Sequence, residues 1–262
     1  KAIDLEEYLG TLGDLEREVA PLTLASGERP IYRRNWIDIL ARHLPPLVAR
    51  ARTGDVTAHA ELHQLGEHGL RPLLETLGDP TEPRQQHTAI RILGLVDNRG
   101  AAAPLLRIAA EAAEGRDVEL RLEALFAAGR LGDPRSLTTL VRLARHPDRD
   151  LRAAAAWALG ETTDLRAAPT LAALLDDDQV LVRAIACMAS GRLGDRKTLE
   201  RVQTMVRNAE HPSIVRAACA VGLGIAEDVV HGPALTVALE SGSDEVTRGA
   251  AWALGRLGDR AA

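Results

Sequence analysis

The chain has 262 residues with a formal net charge of −5, and only 2 % of its residues are aromatic. An acidic balance disfavours wholesale binding of nucleic acid, although a single basic face would still be compatible with it. No apolar run approaches the roughly 18 residues that a membrane-spanning helix requires, so we predict no membrane span.

The ends of the chain bear on its cellular location. No secretory signal peptide is visible, which favours the cytoplasm. The sequence begins at Lys1 without a methionine and stops at Ala262, just after a motif that elsewhere leads into another helix. We therefore expect a piece of a longer protein, whose targeting signals could lie outside it, so the compartment stays open.

The first 54 residues form a segment of their own. Apolar residues recur at helical spacing between residues 3 and 19, and residues 35–52 resemble a helix broken at Pro45-Pro46. This segment lacks the motif that repeats through the rest of the chain. Because the terminal unit of a repeat array needs a cover over its apolar end, we predict that residues 1–54 form a helical cap.

From residue 55 to residue 262 the chain repeats one motif of fourteen residues, as in LRAAAAWALGETTD at 151–164. The glycine at the tenth residue of each copy, which we number position 0, recurs every 28 to 35 residues. A period in this range indicates a solenoid, in which no unit can bury its apolar face without its neighbours. We predict six to seven repeats, with position 0 at Gly66, Gly94, Gly129, Gly160, Gly191, Gly224 and Gly255.

Each unit is predicted to be a helical hairpin. The motif is rich in alanine and leucine, the strongest helix formers, and forms a helix that we name helix B. Its ending, as at Leu131-Gly132-Asp133, suits a left-handed glycine that closes helix B and an aspartate that begins the next helix, named helix A. The prediction is an all-α fold, an α-solenoid of stacked A–B hairpins behind an N-terminal helical cap.

Arginine occupies position −8 in four consecutive copies, and each arginine has an acidic residue four or six positions before it. Since the acids recur with the arginines, we expect a structural ladder of arginine–carboxylate contacts that ties one repeat to the next. A functional anion site is the alternative. The arginines are Arg121, Arg152, Arg183 and Arg216, and the acids are Asp117, Asp148, Asp177 and Glu210.

Position −3 is the feature that points to function. On a helical wheel it faces away from helix A, as position −7 does, yet it is apolar in five successive copies. Stacking would align these side chains in a stripe that could bind a partner; packing of each tryptophan on the neighbouring helix B is the alternative. The stripe consists of Phe126, Trp157, Met188, Val221 and Trp252, and at position +1 it is bordered by Arg130, Arg192 and Arg256, which could clamp acidic groups.

The cysteines and histidines are predicted to contribute little to function. Cys187 and Cys219 occupy alanine positions of helix B and are expected to be small buried thiols. His59 and His63 lie four residues apart, and His87 shares position −7 with His59, so the three are weak candidates for metal ligands. No carboxylate is clearly placed to complete such a site. Contact with solvent or a partner is therefore favoured, and neither a metal nor another cofactor is predicted.

The motif resembles the HEAT-like repeat of the phycobilisome-lyase type. The resemblance rests on residues 182–195, 246–259 and AAAWALG at 154–160, and it covers about four fifths of the chain. It implies that the B helices line the concave side of the solenoid, which would place positions −7 and −3 there. Proteins with this repeat include lyases, scaffolds, chaperones and regulatory subunits, so the resemblance assigns no activity.

Two enzyme families of this repeat type can be compared with the residues of this chain. Deoxyhypusine hydroxylases of this repeat type bind iron through His-Glu pairs, and none of the eight histidines here is followed by glutamate. The corresponding alkylpurine glycosylases hold DNA on a basic concave face, whereas position −7 is Leu122, Ala153, Ala184 and Ala217 in the middle copies. We therefore expect a scaffold or adaptor that binds another protein or peptide on the concave face. The alternative is a lyase- or chaperone-type subunit that acts on a bound client protein.

Overall fold

The computed structural model describes residues 70–77, 83–95, 99–110 and 118–261, and five single positions before residue 70. Within these ranges it contains twelve α-helices and no β-strand, which confirms the all-α prediction. The predicted cap, residues 1–54, lies almost wholly outside the described residues and stays a prediction. The helices are α1 Leu70–Leu77, α2 Pro83–Leu93, α3 Ala102–Ala110, α4 Val118–Arg130, α5 Leu137–Leu143, α6 Arg149–Glu161, α7 Ala168–Leu174, α8 Val180–Leu193, α9 Arg196–Arg207, α10 Ser213–Ala226, α11 Gly232–Leu239 and α12 Asp244–Ala261.

The helices pair as six A–B hairpins, in which odd-numbered helices are A helices and even-numbered ones are B helices. Each helix B packs against its own helix A and against the helix B of the next hairpin. The result is a stack with an A layer and a B layer, as the α-solenoid prediction requires. Leucines such as Leu125, Leu159 and Leu171 fill the core and are fully buried. None of the described helices combines the length and apolarity needed to span a membrane.

The turn from helix B to the next helix A is built as the motif predicts. Gly132 and Gly194 have φ angles of +55° and +75°, the left-handed conformation that closes a helix. Asp133, Asp164 and Asp228 each accept a hydrogen bond at 3.0 Å from the backbone N–H two residues later. Each of these aspartates thereby starts a short 3₁₀ turn that leads into helix A.

The B helices lie close together because the glycine at position 0 faces a small residue at position −2 of the next helix B. A methyl group on Gly160 would lie 2.9 Å from the Cα atom of Ala189, and one on Gly224 would lie 2.7 Å from the Cα atom of Ala253. Such contacts are too short for a real side chain, so the spacing of the layer requires glycine. In the last described helix, a methyl group on Gly255 would meet nothing within 4 Å.

The two cysteines form a disulfide, so the expectation of free thiols is wrong. Cys187 on α8 and Cys219 on α10 are fully buried, as their alanine positions indicate, but their sulfurs are bonded and their Cα atoms are 4.7 Å apart. The two residues occupy different positions of the motif, −4 and −5, so the repeat pattern alone does not pair them. Gly222, which replaces the alanine found at position −2 in neighbouring copies, permits this proximity, because a methyl group there would lie 2.9 Å from the carbonyl carbon of Cys187.

Candidate partner-binding face

The B layer carries the stripe that the sequence predicts at position −3. Phe126 on α4 and Trp252 on α12 expose 38 % and 45 % of their surface. Trp157, Met188 and Val221, on the three B helices between them, are half-buried. The side chains of the stripe are therefore most exposed at its two ends and more buried in the middle.

Both tryptophans of the stripe also pack against the preceding repeat. A methyl group on Gly129 would lie 2.6 Å from Cζ3 of Trp157, so this ring rests on the glycine at position 0 of α4. Trp252 rests on Gly224 in the same way, and the guanidinium group of Arg256 lies 5.4 Å from the centre of its ring. The two interpretations of the stripe thus apply to different parts of the same side chains. One edge packs between repeats, and the rest of the ring is available at the surface.

An apolar cavity of about 250 Å³ opens beside Phe126 and Trp157, whose rings meet edge-on with their centroids 5.3 Å apart. Three successive B helices, α4, α6 and α8, contribute its walls. Asp150 is the one charged residue of the described lining. The apolar side chains that shape the cavity are Leu122, Phe126, Trp157, Leu181 and Ile185.

Sequence reasoning missed two exposed apolar residues that lie on the same face of the B helices as the stripe. Leu181 on α8 and Ile214 on α10 occupy position −10 and expose 49 % and 54 % of their surface. Position −10 lies three residues before position −7 and seven before position −3, and therefore on the same face of the helix. Extending the helical wheel by one residue before the motif would have found them. We call the stripe together with Leu181 and Ile214 the B-face surface.

The arginines at position +1 are engaged with the preceding repeat. Arg192 pairs with Glu161, and Arg256 pairs with Glu227. Nε of Arg130 donates a hydrogen bond of 3.3 Å to a backbone carbonyl oxygen of the preceding repeat. Burial raises the pKa of Glu161, and the charge of Arg192 offsets part of that rise. Because a guanidinium group has five N–H donors, these contacts leave donors for a bound partner.

The sequence model of HEAT repeats matches residues 109–183 and 169–255, which together span more than half of the chain. The chain belongs to the HEAT-repeat family. Among curated proteins, no sequence matches it significantly.

Solved structures of other proteins match this HEAT-repeat chain. One is the complex of CpcE and CpcF of phycocyanin lyase from Nostoc sp. PCC7120, with 25 % identity, a TM-score of 0.55, and coverage of 72 % of this chain and 77 % of that one. This match confirms the resemblance to repeats of the phycobilisome-lyase type. Human deoxyhypusine hydroxylase also matches, with 16 % identity, coverage of 89 % and 100 %, and a TM-score of 0.38. A designed armadillo repeat protein in complex with the peptide (KR)4 has 17 % identity, coverage of 82 % and 99 %, and a TM-score of 0.41.

Within these HEAT repeats, the arginines at position −8 mostly bind backbone. Arg121, Arg183 and Arg216 donate hydrogen bonds of 2.6 to 3.1 Å to carbonyl oxygens at or just beyond the end of their own helix A. Carbonyl groups at a helix end lack partners within the helix, so a half-buried arginine at this point satisfies them. Arg216 does so in place of the predicted contact with Glu210, and Asp117 lies outside the described residues.

Arg152 does bind a carboxylate across the repeat boundary, but to a different acid from the one expected. Its Nε and Nη2 donate to Asp177 of the next repeat at 2.8 and 2.9 Å, and the two side chains are only 13 % and 9 % exposed. Burial raises the pKa of Asp177, but the hydrogen bonds from Arg152 and from the backbone N–H of Gln179 outweigh it and hold the pKa below its usual value. Asp148, the expected acid, instead caps α6 by accepting two backbone N–H groups.

The histidines fall only partly within the described residues. Nδ1 of His87 on α2 lies 2.8 Å from a carboxylate oxygen of Glu123 on α4, which links two successive B helices. His59 and His63 lie outside the described residues. In the ranges that the structure does describe, no three His, Cys, Asp or Glu side chains are grouped so as to hold a metal ion.

Proposed function

We propose that this chain is a scaffold or adaptor that binds another protein or peptide through the B-face surface, which the family resemblance implies to be the concave side. The cavity beside Phe126 and Trp157 carries the proposal. It is lined by apolar side chains from three successive repeats, with Asp150 as the one charge of its described lining. Clustered apolar surface of this kind, unlike single exposed residues, is typical of an interaction site.

The surface suits an apolar anchor side chain of the partner with charges on either side. Aromatic rings in a partly enclosed pocket are the usual energetic centre of a protein interface. Asp150, whose side chain is 45 % exposed, stands where a basic residue of the partner would pair with it. Arg192 and Arg256 border the surface, where they pair with Glu161 and Glu227. Their remaining N–H donors would bind acidic groups of the partner.

The similarity to a phycocyanin lyase structure favours one alternative, a lyase- or chaperone-type subunit that acts on a bound client protein. Such a lyase would bind or transfer a tetrapyrrole, whereas a scaffold would not. Incubation of the purified chain with a free bilin, followed by gel filtration, separates the two. Visible absorbance that travels with the protein would favour the lyase, and a colourless protein peak would favour the scaffold.

Site-specific photo-crosslinking tests the proposed surface directly. A photo-crosslinking amino acid is introduced at Leu181, within the B-face surface, and in a matched protein at Leu165, which is 59 % exposed in the turn before α7. The proposal expects a discrete crosslinked partner from position 181 and no such product from position 165. Identical products from both positions, or none from position 181 in cells that contain the partner, would contradict it.

A further inference from the structure

A second cavity lies between two neighbouring A helices and is strongly basic. It has a volume of about 610 Å³ and is bounded by α3, α5 and the 3₁₀ turns that precede them. Its lining includes one carboxylate, that of Asp133, and four arginines, which are Arg99, Arg107, Arg135 and Arg142. We call this cavity the arginine cleft. It lies among the A helices and does not depend on the proposed function of the B layer.

The carboxylate of Asp133 is already engaged. It is part of a residue only 4 % exposed, and it accepts the backbone N–H and the Nε–H of Arg135, both at 3.0 Å. The side-chain hydrogen bond from Arg135 is the main reason that the pKa of Asp133 is lowered, and the charge of Arg99 adds to it. Arg99, Arg107 and Arg142 are exposed and form no ion pair with any described residue. Within the described lining, three guanidinium charges therefore lack a counter-charge.

These charges are spread along the cleft on both of its walls. Arg107 on α3 and Arg142 on α5 occupy equivalent places, thirteen residues after the position-0 glycines of the preceding repeats. Arg99, in the 3₁₀ turn before α3, precedes Arg107 by eight residues, which corresponds to roughly 12–14 Å at the rises of these two kinds of helix. A ligand with more than one anionic group would therefore meet an arginine at each end.

The remaining lining residues narrow the chemical class of that ligand. Ser136 and Thr139 add hydroxyl groups, Ala103 and Leu106 add an apolar wall, and the described lining contains no amide side chain. A peptide would bring one N–H donor for nearly every acceptor, but the carboxylate of Asp133 is taken by Arg135. A phosphate group brings acceptors and charge in a small volume, and the planar fork of arginine matches it. We propose that the arginine cleft binds a small ligand that carries phosphate groups.

The net charge of the chain favours a small ligand over a long polyanion. A formal charge of −5 over the whole chain repels an extended nucleic acid, whereas a compact ligand is exposed chiefly to the nearby arginines. The basic character is not shared by the corresponding cleft between α9 and α11. The corresponding cleft between α9 and α11, of about 440 Å³, includes Asp228, and its Arg196 pairs with Glu200 at 3.2 Å.

Isothermal titration calorimetry with inorganic tripolyphosphate at low ionic strength tests the proposal. The variant carries Arg107→Ala and Arg142→Ala, which removes one arginine from each wall. The matched control carries Lys197→Ala and Arg207→Ala, which removes two exposed positive charges on α9 outside the cleft. Circular dichroism confirms that each protein is folded.

We expect saturable binding of one tripolyphosphate per chain, weakened at least tenfold in the cleft variant and less than twofold in the control. A second arm replaces tripolyphosphate with a hexaglutamate peptide, for which we expect weaker binding. Absence of saturable tripolyphosphate binding, or equal weakening in both variants, would overturn the proposal. Tighter binding of hexaglutamate than of tripolyphosphate would also overturn it, in favour of an acidic segment of a protein.

Discussion

Gly191 on α8 lies so close to Gly222 on α10 that a methyl group on Gly191 would come within 2.6 Å of the carbonyl carbon of Gly222. The same two helices are joined by the disulfide between Cys187 and Cys219. Backbone contact and covalent bond therefore occur together at one junction of the B layer. This junction lies between the halves of the stripe that we propose as the binding surface.

The close contact predicts opposite effects of one substitution at two equivalent positions. Gly191→Ala should lower the free energy of unfolding by about 2 kcal/mol or more, because backbone atoms of α10 leave no room for the added methyl group. Gly255→Ala, also at position 0, should raise it by about 0.5–1 kcal/mol, because the methyl group meets nothing and alanine favours the helix. Urea unfolding followed by circular dichroism measures both. Equal effects at the two positions would show that inter-repeat contact does not set the spacing.

The disulfide predicts a redox-dependent stability. Closing a loop over 32 residues stabilises a chain by up to about 3–4 kcal/mol through the entropy of the unfolded state. The double variant Cys187→Ala, Cys219→Ala, which restores alanine at both positions, should unfold at lower denaturant concentration than the oxidised wild type. Dithiothreitol should destabilise the wild type and leave the variant unchanged. Two titratable thiols in the denatured, unreduced wild type would contradict the assignment.

The contact between Arg152 and Asp177 predicts a pH-dependent loss of stability. Arg152→Ala should cost about 2–3 kcal/mol at pH 7, because it leaves a nearly buried carboxylate without its charged donor. Arg149→Ala is the matched control, since that side chain is 63 % exposed and lies 3.6 Å from Asp150, so less than about 0.5 kcal/mol is expected.

The direction of the pH effect follows from the lowered pKa of Asp177. A carboxyl group with a lower pKa in the folded state stabilises the fold above its unfolded pKa of about 4 and loses this effect as the pH falls through the folded value. The gap in unfolding free energy between the wild type and Arg152→Ala should therefore be widest near pH 7 and narrow below about pH 4. A gap that is constant from pH 7 to pH 3 would mean that Asp177 is not the acid that Arg152 stabilises.

Two of the described turns place a residue other than glycine in the left-handed conformation, at Thr163 and Glu227, and we use the first to test the strain. Thr163 has a φ angle of +51° and precedes the capping Asp164, in the place where Gly132 and Gly194 precede theirs. Thr163→Gly should therefore raise the melting temperature, with a gain of about 1 kcal/mol in unfolding free energy. Thr163→Ala keeps a side chain in the left-handed region and should gain less. A loss of stability in the glycine variant would show that the threonine side chain contributes more than its conformation costs.

The stack could be predicted from the sequence because its determinants are local and periodic. Glycine at position 0 recurs in each copy, with small residues around it. Aspartate follows the turn in most copies, and the structure gives the capping role to Asp133, Asp164, Asp195 and Asp228. Contacts that depend on geometry across repeats could not be predicted. Asp148 and Asp177 are both acids near an arginine, and only the fold shows that the first caps a helix while the second receives Arg152.

The surface features, likewise, could be predicted from the sequence only in part. The stripe at position −3 can be predicted from the helical wheel of the motif. Leu181 and Ile214 lie one residue before the motif, so the wheel did not include them. The arginine cleft joins residues of two A helices, which vary from unit to unit and carry no repeated signature. The disulfide required knowledge of how closely α8 and α10 approach, which the repeat pattern does not contain.

The affinity of the identified partner for chains altered at Leu181 tests the central claim most directly. Leu181 is 49 % exposed and lies in the cavity beside Trp157, so Leu181→Asp places a charge in the B-face surface with little effect on the core. Leu165→Asp makes the same change outside that surface. We predict that Leu181→Asp raises the Kd at least tenfold and that Leu165→Asp changes it less than twofold, with melting temperatures within a few degrees of the wild type. An unchanged Kd for Leu181→Asp would contradict the claim that this surface binds the partner.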